Sequence, residues 1–537
     1  MSARFSLSFL LFLQCFFYSF GEFRVNKIYI NRLNVFDTAS GDWFFAAKLA
    51  NSLHFLTKEY VIKDELLFEE GEWTDIDALI ETEKNLRSLN LFSKVEISVD
   101  SLEPLVYDVY ILTKDRWTTN PSLLFGTGGE SYRIGFRLEE LNFLGTATTI
   151  TPEILYRSEN DTRMQVRFKL FQRRLFRSNF SINYDFFINR FRTLHNIEFY
   201  RPFFSRNSEN AYGIQVVNNF GNDLFFLGSN GYKKMGFYEK GGKIWYSQSW
   251  SKGDRLFITG LLDVRKVIRG SSEFARAFDN SGRLFVAFSS ISEKFIKTSR
   301  LNTFLTEDIT VGGWGSAILG KTFRIDSTGT DAFYLAGVGE KSYLTDDSNL
   351  YLFGRLAGGS AFARSIGFNT YQEFWGLMFY RFSENFLFAS QIKQQTVWNW
   401  RGIRQLLLDD KHYLRGYTLN QLNGDNRLAA NFEFRYFPDI RFWIFYFSGV
   451  IFYDGGTVWN QKQEIFKARW HNSVGLGVRI HNDKTSGKLG IVRIDVAFNF
   501  DKKKFAGIII TSDQLFSIFK NHQFELPMIL GEEYEYE

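Results

Sequence analysis

The segment YRIGFRLE, residues Tyr132–Glu139, alternates apolar with polar or small residues along its length. The same alternation recurs in RMQVRFKL, residues Arg163–Leu170, and in FSINYDF, residues Phe180–Phe186. Successive side chains of a β-strand point to opposite faces of the sheet. Each segment is therefore predicted to be a strand with one apolar face and one polar face.

The alternation continues over roughly 400 residues, with polar loops between the segments and little helical periodicity. A soluble β-sandwich alternates in the same way, but its charged residues lie on an outer surface around a compact core. The extent of the pattern is instead typical of a transmembrane β-barrel, which has lipid outside and a polar lumen. At about 25 residues per strand and loop, we expect an antiparallel barrel of about 16 strands. The stretch Leu301–Phe323 divides into strands in two ways.

The composition agrees with a barrel but does not decide the fold by itself. Aromatic residues make up 18% of the chain, and 61 Phe stand against 6 Pro. Transmembrane barrels place aromatic residues in girdles at both membrane interfaces, although a codon bias toward Phe would raise the same fraction. The net charge of +5 is spread along the chain without a basic cluster, which predicts no nucleic-acid partner.

Residues 1–21 are predicted to be a secretory signal peptide. Arg4 supplies the positive start, and Phe5–Phe20 carries no charge. The apolar run is short for a retained spanning helix, and no basic stop follows it. Cys15, the only cysteine, is not preceded by the small residues of a lipidation site. Removal of this segment leaves no cysteine for a disulfide or a thiolate metal site.

The chain before residue 117 follows a different pattern, with helical periodicity in two places. Thr74 is predicted to cap the second helix, because Asp75 and Asp77 then lie at its positive end. The predicted elements, in chain order, are a strand at Arg24–Leu33, a helix at Trp43–Phe55, the helix that follows Thr74, and strands at Lys94–Asp100 and Val106–Thr113. Periodicity alone fits any small α+β domain with this order of elements.

The segment Val61–Phe92, VIKDELLFEEGEWTDIDALIETEKNLRSLNLF, has an apolar and acidic stretch that ends in Gly, followed by a helix with NLR near its end. It resembles the POTRA domain, the periplasmic module of the BamA/TamA/FhaC-type outer-membrane assembly barrels (bacterial surface antigen family). YRIGFRLEELNFLG, residues Tyr132–Gly145, is similar to the second barrel strand of this family. The resemblance implies a single α+β POTRA domain at residues 22–116, a barrel at residues 117–519 and an acidic tail at residues 520–537.

Leu414–Tyr417, LRGY, resembles the [V/L]RG[F/Y] motif of the long sixth extracellular loop of this family. Phe452–Gly456, FYDGG, resembles the F-x-D-x-G strand of the inner wall. The resemblance implies that the loop folds back into the lumen and that Arg415 meets the carboxylate of Asp454. A guanidinium in a narrow lumen needs a partner that accepts a fork of hydrogen bonds. The alternative is an isolated RGY in a surface loop.

The predicted site consists of a loop motif, wall residues and a strand end. The residues are Leu414, Arg415, Gly416 and Tyr417 in the loop, Phe452, Asp454, Gly455, Glu433 and Arg435 on the wall, and Phe519 at the end of the last strand. Gly416 permits a tight turn, and Tyr417 packs on the wall with its hydroxyl free to bond. Glu433 and Arg435 either join the loop network or only line a wet wall. The last strand is predicted at Phe505–Phe519, and the acidic tail after it departs from the family's pattern.

Catalytic and metal-binding patterns are poor in this sequence. The histidines are scattered, with no H-E-x-x-H motif, and no G-x-S-x-G elbow is present. Gly337–Ser342 has the wrong spacing for a phosphate-binding loop and alternates like a strand. Nothing in the sequence pairs Ser316 with His412. We therefore expect no enzyme activity, no metal and no cofactor.

The resemblance implies an outer-membrane assembly or translocation factor. We expect a location in the bacterial outer membrane, with the POTRA domain in the periplasm. The expected partners are unfolded outer-membrane or secreted client proteins, the lipid bilayer and accessory periplasmic proteins. Clients would add to an open strand edge of the POTRA sheet. They would then pass through the lumen, or through a seam between the first barrel strand, at Ser122–Gly128, and the last one.

Three alternatives remain open. They are a passive porin-like channel, a two-partner-type secretion transporter for a dedicated client, and a structural anchor that only docks partners. A loop held in the lumen by Arg415 and Asp454 argues against the porin, because it blocks diffusion. A single POTRA domain favours a specialised role, since general assembly factors of this family carry several and two-partner transporters carry two.

Overall fold

The computed structural model describes most of the chain in two compact units. The described residues are 22–35, 51–52, 54–128, 130–204, 208–252, 254–299, 301, 306–364, 366–442, 445–482, 491–511, 515–516, 524–532 and 535. The first unit comprises Met1–Asn120, Leu138–Thr151 and Leu170–Ile182, and the second comprises Pro121–Arg137, Pro152–Lys169 and Asn183–Glu537. The predicted signal peptide lies outside the described residues.

The first unit contains a four-stranded sheet with helices packed on it. Its elements are β1 Phe23–Leu33, α1 Glu59–Lys63, β2 Trp73–Thr74, α2 Ile76–Ser88, β3 Phe92–Glu103 and β4 Val106–Asp115. The strand order is β2-β1-β4-β3, with β1 parallel to β4 and the other pairs antiparallel. Leu79 and Leu86 of α2 share one buried cluster with Val25, Val109 and Ile111 of the sheet. The apolar stripe of the helix thus covers one face of the sheet.

The helix α2 begins one residue later than predicted. Asp75 rather than Thr74 caps it, because the Asp75 carboxylate accepts a hydrogen bond from the Ala78 amide at 2.7 Å. The predicted helix at Trp43–Phe55 falls largely outside the described residues. No helix in the described part of the chain is long and apolar enough to cross a membrane. The described elements do not establish this unit as a POTRA domain.

The strands that follow β4 form a closed antiparallel barrel, apart from one small hairpin. In chain order they are β5 Thr119–Gly128, β6 Ser131–Glu140, β7 Thr148–Arg157, β8 Arg163–Gln172, β9 Ser181–Asn189, β10 Arg192–Arg201, β11 Asn210–Phe226, β12 Tyr232–Lys252, β13 Asp254–Arg269, β14 Ser281–Ser299, β15 Thr306–Arg324, β16 Ala332–Leu344, β17 Leu350–Ala363, β18 Ile366–Arg381, β19 Phe386–Trp398, β20 Leu406–Leu408, β21 Leu422–Gly424, β22 Asn426–Tyr436, β23 Arg441–Phe442, β24 Phe445–Trp459, β25 His471–Asn482, β26 Ile491–Asn499 and β27 Lys504–Thr511. The hairpin β20–β21 stands apart from the barrel sheet, in which neighbours follow the order of the chain and β27 closes on β5.

The prediction of about 16 strands was wrong, because the described part of the barrel has 20 strands besides the two-residue β23. Each of β5–β10 is only nine or ten residues long. This part of the chain therefore turns more often than about 25 residues per strand and loop allows. Alternation shows which residues belong to a strand, but it does not show where a tight turn ends that strand. The ambiguous stretch Leu301–Phe323 is covered largely by one strand, β15.

The last barrel strand is shorter than predicted. It ends at Thr511, whereas the predicted end, Phe519, lies outside the described residues. Thr511 is opposite Arg493, close to the start of β26, so little of the partner strand remains beyond it. Phe516 packs against the inward-facing Phe379, with ring centroids 5.9 Å apart.

Side-chain exposure alternates along the barrel strands. In β16 every second residue is buried and the residues between them are exposed. Exposed apolar residues of the outer face include Ile134, Ile244, Leu335, Leu356, Ile451 and Leu476. An apolar outer face of this kind is what contact with lipid requires.

Ile244→Arg is expected to weaken the barrel. Ile244 is 60% exposed on the outer face of β12, with Tyr238 and Trp250 to either side on the same face. An arginine on the lipid face near the middle of the bilayer costs about 2–4 kcal/mol of folding free energy. Urea unfolding of the protein folded into lipid vesicles measures this change.

Phe466→Arg is the matched control for that substitution. Phe466 is 97% exposed in the loop between β24 and β25, so the free energy of unfolding should change by less than about 0.5 kcal/mol. Equal losses for the two variants would contradict a lipid-facing surface at Ile244.

Candidate functional site

The segment between β19 and β22, residues 399–425, lies against the inner wall, and we call it the lumen loop. The buried carboxylate of Asp409 closes the turn after β20. It accepts hydrogen bonds from the amides of Lys411, His412 and Asn420 and lies 2.8 Å from His412 Nδ1. Burial opposes ionisation, but His412 and these bonds hold the pKa of Asp409 below its ordinary value. The turn directs the LRGY motif to the barrel wall.

Arg415 is fully buried and forms a fork with Asp454 of β24. Its Nε lies 2.7 Å from Asp454 Oδ2, and its Nη2 lies 2.8 Å from Oδ1. The Arg415 amide donates to Oδ2 at 3.2 Å, and Asn431 Nδ2 donates to Oδ1 at 2.8 Å. The guanidinium carbon lies 3.5 Å from the centre of the Phe452 ring. This pair is therefore bidentate, charge-assisted and stacked on an aromatic face.

The fork belongs to a larger buried network, which we call the wall cluster. Its members in the described residues are Arg415, Arg435, Arg479, Arg493, Glu433, Asp454 and Asp495. Arg415 Nη1 lies 2.8 Å from Glu433 Oε1 and 3.3 Å from Asp495 Oδ2. Arg435 pairs with Glu433 at 2.8 Å, and Arg479 pairs with Asp495. Removal of one member would leave the others buried without compensation.

The neighbours of Arg415 in the motif fix the loop backbone. Gly416 has φ +82°, and a Cβ there would lie 2.8 Å from the Ala497 Cβ, so this position requires glycine. The Tyr417 hydroxyl donates to the Asn472 carbonyl oxygen at 2.9 Å and accepts from the Asn472 amide at 3.1 Å. Leu414 is buried in an apolar cluster of the loop and the wall. The whole motif is thus bound to the wall by backbone as well as side-chain bonds.

Gly455, one of the predicted wall residues, faces the other side of β24. A Cβ on Gly455 would lie 2.9 Å from Trp470 Nε1. Gly456 is the glycine that faces the lumen loop, since a Cβ there would lie 3.1 Å from Leu408 Cδ1. Side chains change face at every residue, so of two adjacent glycines only one can share a face with Asp454. Phe452, Glu433 and Arg435 do lie in or next to the wall cluster.

Sequence reasoning missed Asp495, Arg479 and Arg493 as partners of the loop. Alternation places them on the inner face, but it does not say which inner residues of neighbouring strands lie side by side. The strand register decides that, and it sets Asp495 opposite Gly477 and Arg479 opposite Arg493. An acidic residue between apolar ones on a late strand, as in VRIDVAF, was the signal available in the sequence.

Asp410 and Lys411 lie in the lumen loop near the end of β5. Asp410 accepts a hydrogen bond from the Gly416 amide at 2.9 Å, and burial raises its pKa to about 6. Lys411 Nζ lies 3.0 Å from Glu159 Oε1, and burial lowers the pKa of Lys411 to about 8. A Cβ on Gly128 would overlap the Asp410 carboxylate, so close approach of the loop requires glycine at this position of β5.

The strands β27 and β5 close the barrel through a short pairing, which we call the seam. In the residues described, they are opposite each other at one position, Ile510 with Thr127. The neighbouring pair β26–β27 extends from Arg493 opposite Thr511 to Asn499 opposite Lys504. A cavity of about 240 Å³ adjoins the seam, lined in part by Thr127, Asp410, Lys411, Arg493 and Ile509.

Ser316 and His412 each have other partners in the structure. Ser316 accepts a hydrogen bond from Ser289, and His412 lies against Asp409. Among the residues that the structure describes, no group of three or more His, Cys, Asp or Glu side chains is arranged to hold a metal ion.

The chain is similar to several solved structures, at low sequence identity and with TM-scores below 0.5. BamA from Haemophilus ducreyi lacking POTRA domains 1–3 has 12% sequence identity and a TM-score of 0.41, over 90% of this chain and 84% of that chain. CdiB from Acinetobacter baumannii has 12% identity and a TM-score of 0.44, over 91% of this chain and 73% of that chain. The alcaligin outer membrane receptor FauA from Bordetella pertussis has 8% identity and a TM-score of 0.33, over 78% and 81%.

These similarities concern the fold alone. No protein-family model matches the sequence, and no curated protein matches it either.

Arg415→Ala is expected to destabilise the protein by about 3–5 kcal/mol, because it leaves Asp454 and Glu433 buried beside a missing charge. The lumen loop should also become sensitive to proteases. Urea unfolding in vesicles measures the first effect, and limited proteolysis of the folded protein measures the second.

Arg401→Ala is the control on the same loop. Arg401 is exposed and lies 4.0 Å from the centre of the Phe368 ring, so its loss should cost no more than about 1 kcal/mol. If proteases cut the lumen loop of Arg415→Ala at the wild-type rate, the Arg415–Asp454 fork would not be the contact that holds the loop on the wall.

Docking of the lumen loop is expected to weaken as the pH rises through about 6. Burial raises the pKa of Asp410 to about 6, so the docked loop favours the protonated acid. The contribution of Asp410 is therefore fully present below about pH 4, the pKa of an exposed aspartate, and is lost as the pH rises through 6. Hydrogen exchange of the loop amides between pH 4 and 7, with correction for the intrinsic exchange rate, measures it.

Asp410→Asn should remove the part of the pH dependence that comes from Asp410. Subtraction of the variant's hydrogen-exchange profile from that of the wild type cancels the titration of the other loop groups. Asp326→Asn, in an exposed turn between β15 and β16, should leave the wild-type dependence in place. An identical pH profile for the wild type and Asp410→Asn would exclude the role given to Asp410.

Proposed function

We propose that this protein is a bacterial outer-membrane barrel of the BamA/TamA/FhaC type that inserts or exports client polypeptides. Two features of this chain support the family. The LRGY motif meets the FYDGG strand through the Arg415–Asp454 fork, as the family's motifs imply. The outer face of the barrel is apolar, as a lipid-embedded wall must be.

The short seam is the observation that carries the proposed mechanism. Among the described residues, β27 and β5 are opposite each other only at Ile510 and Thr127, so separation of these residues breaks fewer hydrogen bonds than separation of a long ladder. Each strand then offers unpaired N–H and C=O groups at the edge. A client strand adds to such an edge by β-augmentation. As the client folds into its own sheet, it leaves the seam.

The first unit supplies a second strand edge. Its outermost strand, β3, is Phe92–Glu103, and among the described residues it pairs on one side only, with β4. An extended client segment would bind there through backbone hydrogen bonds before it reaches the barrel. This edge is where unfolded outer-membrane or secreted clients would first add.

The lumen loop argues against a passive channel. Arg415 is fully buried, and its motif is bound to the wall by the contacts of Gly416 and Tyr417. A loop that is held in this way narrows the path for solutes. Insertion at the seam requires no wide pore, so we favour insertion over solute conduction.

A disulfide across the seam is expected to block client insertion. Thr127 and Ile510 are opposite each other, and opposed residues of antiparallel strands are within the Cα range of a disulfide. Thr127→Cys with Ile510→Cys, in a Cys15→Ser background, should insert an unfolded eight-stranded barrel protein into vesicles at least about tenfold more slowly when oxidised. Reduction should restore the rate, read as the folded client fraction on gels.

Ile244→Cys with Leu262→Cys is the matched control pair. These residues are opposite each other inside the long β12–β13 ladder, so oxidation should not change the insertion rate. If the oxidised Thr127→Cys, Ile510→Cys variant inserted the client as fast as the wild type does, the seam mechanism would be refuted. No acceleration by the wild type over empty vesicles would refute the proposed function itself.

A further inference from the structure

The described residues near the C-terminus form no strand, yet several of them are buried on the inner wall. The structure describes Phe524–Glu532 and Glu535 of this segment, which we call the tail. Ile529 and Leu530 are 3% and 6% exposed. A segment this rich in acidic residues is buried only when its charges have partners. Each anchoring residue of the tail has such a partner on the wall or in the lumen loop.

An aromatic anchor holds the start of the tail. The Phe524 ring lies among three aromatic rings, with centroid distances of 5.3 Å to Phe203, 5.8 Å to Trp245 and 5.4 Å to Phe257. Two of these contacts are tilted and one is edge-to-face, which are favourable arrangements for aromatic pairs.

The middle of the tail packs on an apolar part of the wall. Ile529 and Leu530 share one buried cluster with Phe285, Tyr334 and Tyr371. The Leu530 amide donates to the Tyr334 hydroxyl oxygen at 2.8 Å. An empty lumen would leave these aromatic residues in water, so the tail covers a surface that is unfavourable when bare.

Gly531 lies where no side chain fits. It has φ +84°, and a Cβ there would lie 2.7 Å from Tyr371 Cδ2. Arg404 of the lumen loop donates a hydrogen bond to the Gly531 carbonyl oxygen. The wall and the loop therefore contact the tail backbone directly at Gly531, and only glycine allows this close approach.

Buried arginines bind the acidic residues of the tail. Glu532 pairs with Arg283, and Glu535 forms a fork with Arg427, whose Nη1 and Nη2 lie 2.7 Å and 2.8 Å from its two carboxylate oxygens. The Leu407 amide donates to Glu535 Oε2 at 2.9 Å. This end of the tail therefore holds the wall and the lumen loop together.

We propose that this part of the inner wall is a binding site for extended polypeptide segments, and that the tail is its resident ligand. The pattern it selects is an aromatic residue, then an apolar pair followed by glycine and an acidic residue, then a second acidic residue. The proposal rests on the proposed function, because it names the chemistry of a client segment that would replace the tail. Displacement of the tail also removes the contacts of Arg404 and Leu407, so it loosens the lumen loop.

Binding of a synthetic peptide of residues 524–537 tests the site. A chain that ends at Gln523 should bind the labelled peptide in detergent micelles, read by fluorescence anisotropy. The full-length protein should bind it at least about 100-fold more weakly, because its own tail competes at a high effective concentration. The heat-dependent mobility of the barrel on gels reports that the truncated chain is folded.

Two peptide variants separate a specific site from a sticky surface. The Glu535→Gln peptide should bind the truncated chain about tenfold or more weakly, because it loses charge on the Arg427 fork. The Glu525→Gln peptide makes the same chemical change at an exposed tail residue and should bind like the wild-type peptide. Equal affinities of the two peptides would overturn the proposal.

A full-length variant keeps the test independent of truncation. Full-length Glu535→Gln should bind the wild-type peptide about tenfold more tightly than full-length Glu525→Gln does, since its resident tail is weaker. Hydrogen exchange at the Leu407 amide should rise in the first variant and not in the second. If both full-length variants excluded the peptide equally, the tail would not be a displaceable ligand.

Failure of the tail-binding site and failure of the proposed function give different results. Peptide binding is measured on the truncated chain and the full-length variants without a client protein, whereas the seam disulfide is measured by client insertion. Loss of client insertion with intact peptide binding would leave the site standing, and the reverse result would leave the seam mechanism standing.

Discussion

A single buried guanidinium determines how the lumen is organised. Arg415 has no exposed surface, and a charge in such a place is tolerated only while it is paired. Its fork with Asp454 ties the lumen loop to β24, and Glu433 and Asp495 extend the network to β22 and β26. These strands form a continuous part of the wall up to β27. The charge network therefore ties the lumen loop to three wall strands on one side of the seam, where the described residues of β27 and β5 are opposite each other at one position.

The sequence predicted side-chain faces better than it predicted strand ends. Alternation predicts that Glu433 and Arg435 lie on the inner face, and both are buried there, because the side-chain period of a strand is fixed by backbone geometry. The strand number failed because β5–β10 are each only nine or ten residues long, so this part of the chain contains more strands than about 25 residues per strand and loop predicts. The same period puts Gly455 and Gly456 on opposite faces of β24, so of these two glycines only Gly456 faces the lumen loop.

Long-range partners were beyond what the sequence alone provides. Asp495 meets Arg415, and Glu535 meets Arg427, through strand register and the path of the chain in the lumen. Neither quantity is encoded in local periodicity. An acidic, strand-free end of a chain is expected in solvent, since burial of unpaired carboxylates is costly. The end of this chain is buried because arginines of the inner wall pair with its carboxylates. Alternation predicts that these arginines face inward, but it does not predict their partners.

Two segments of one chain share the lumen, and they meet where Gln405 and Leu407 contact Glu535. Neither segment is covalently bound to the wall, so the closed state is an equilibrium that a ligand can shift only by binding the open state more tightly. A shift from mostly closed to mostly open requires about a 10⁴-fold preference for the open state. A small solute makes none of the tail's contacts and supplies no such preference. On the proposal made above, an extended polypeptide supplies such a preference by taking over the contacts of the aromatic pocket, the apolar wall and the two arginines.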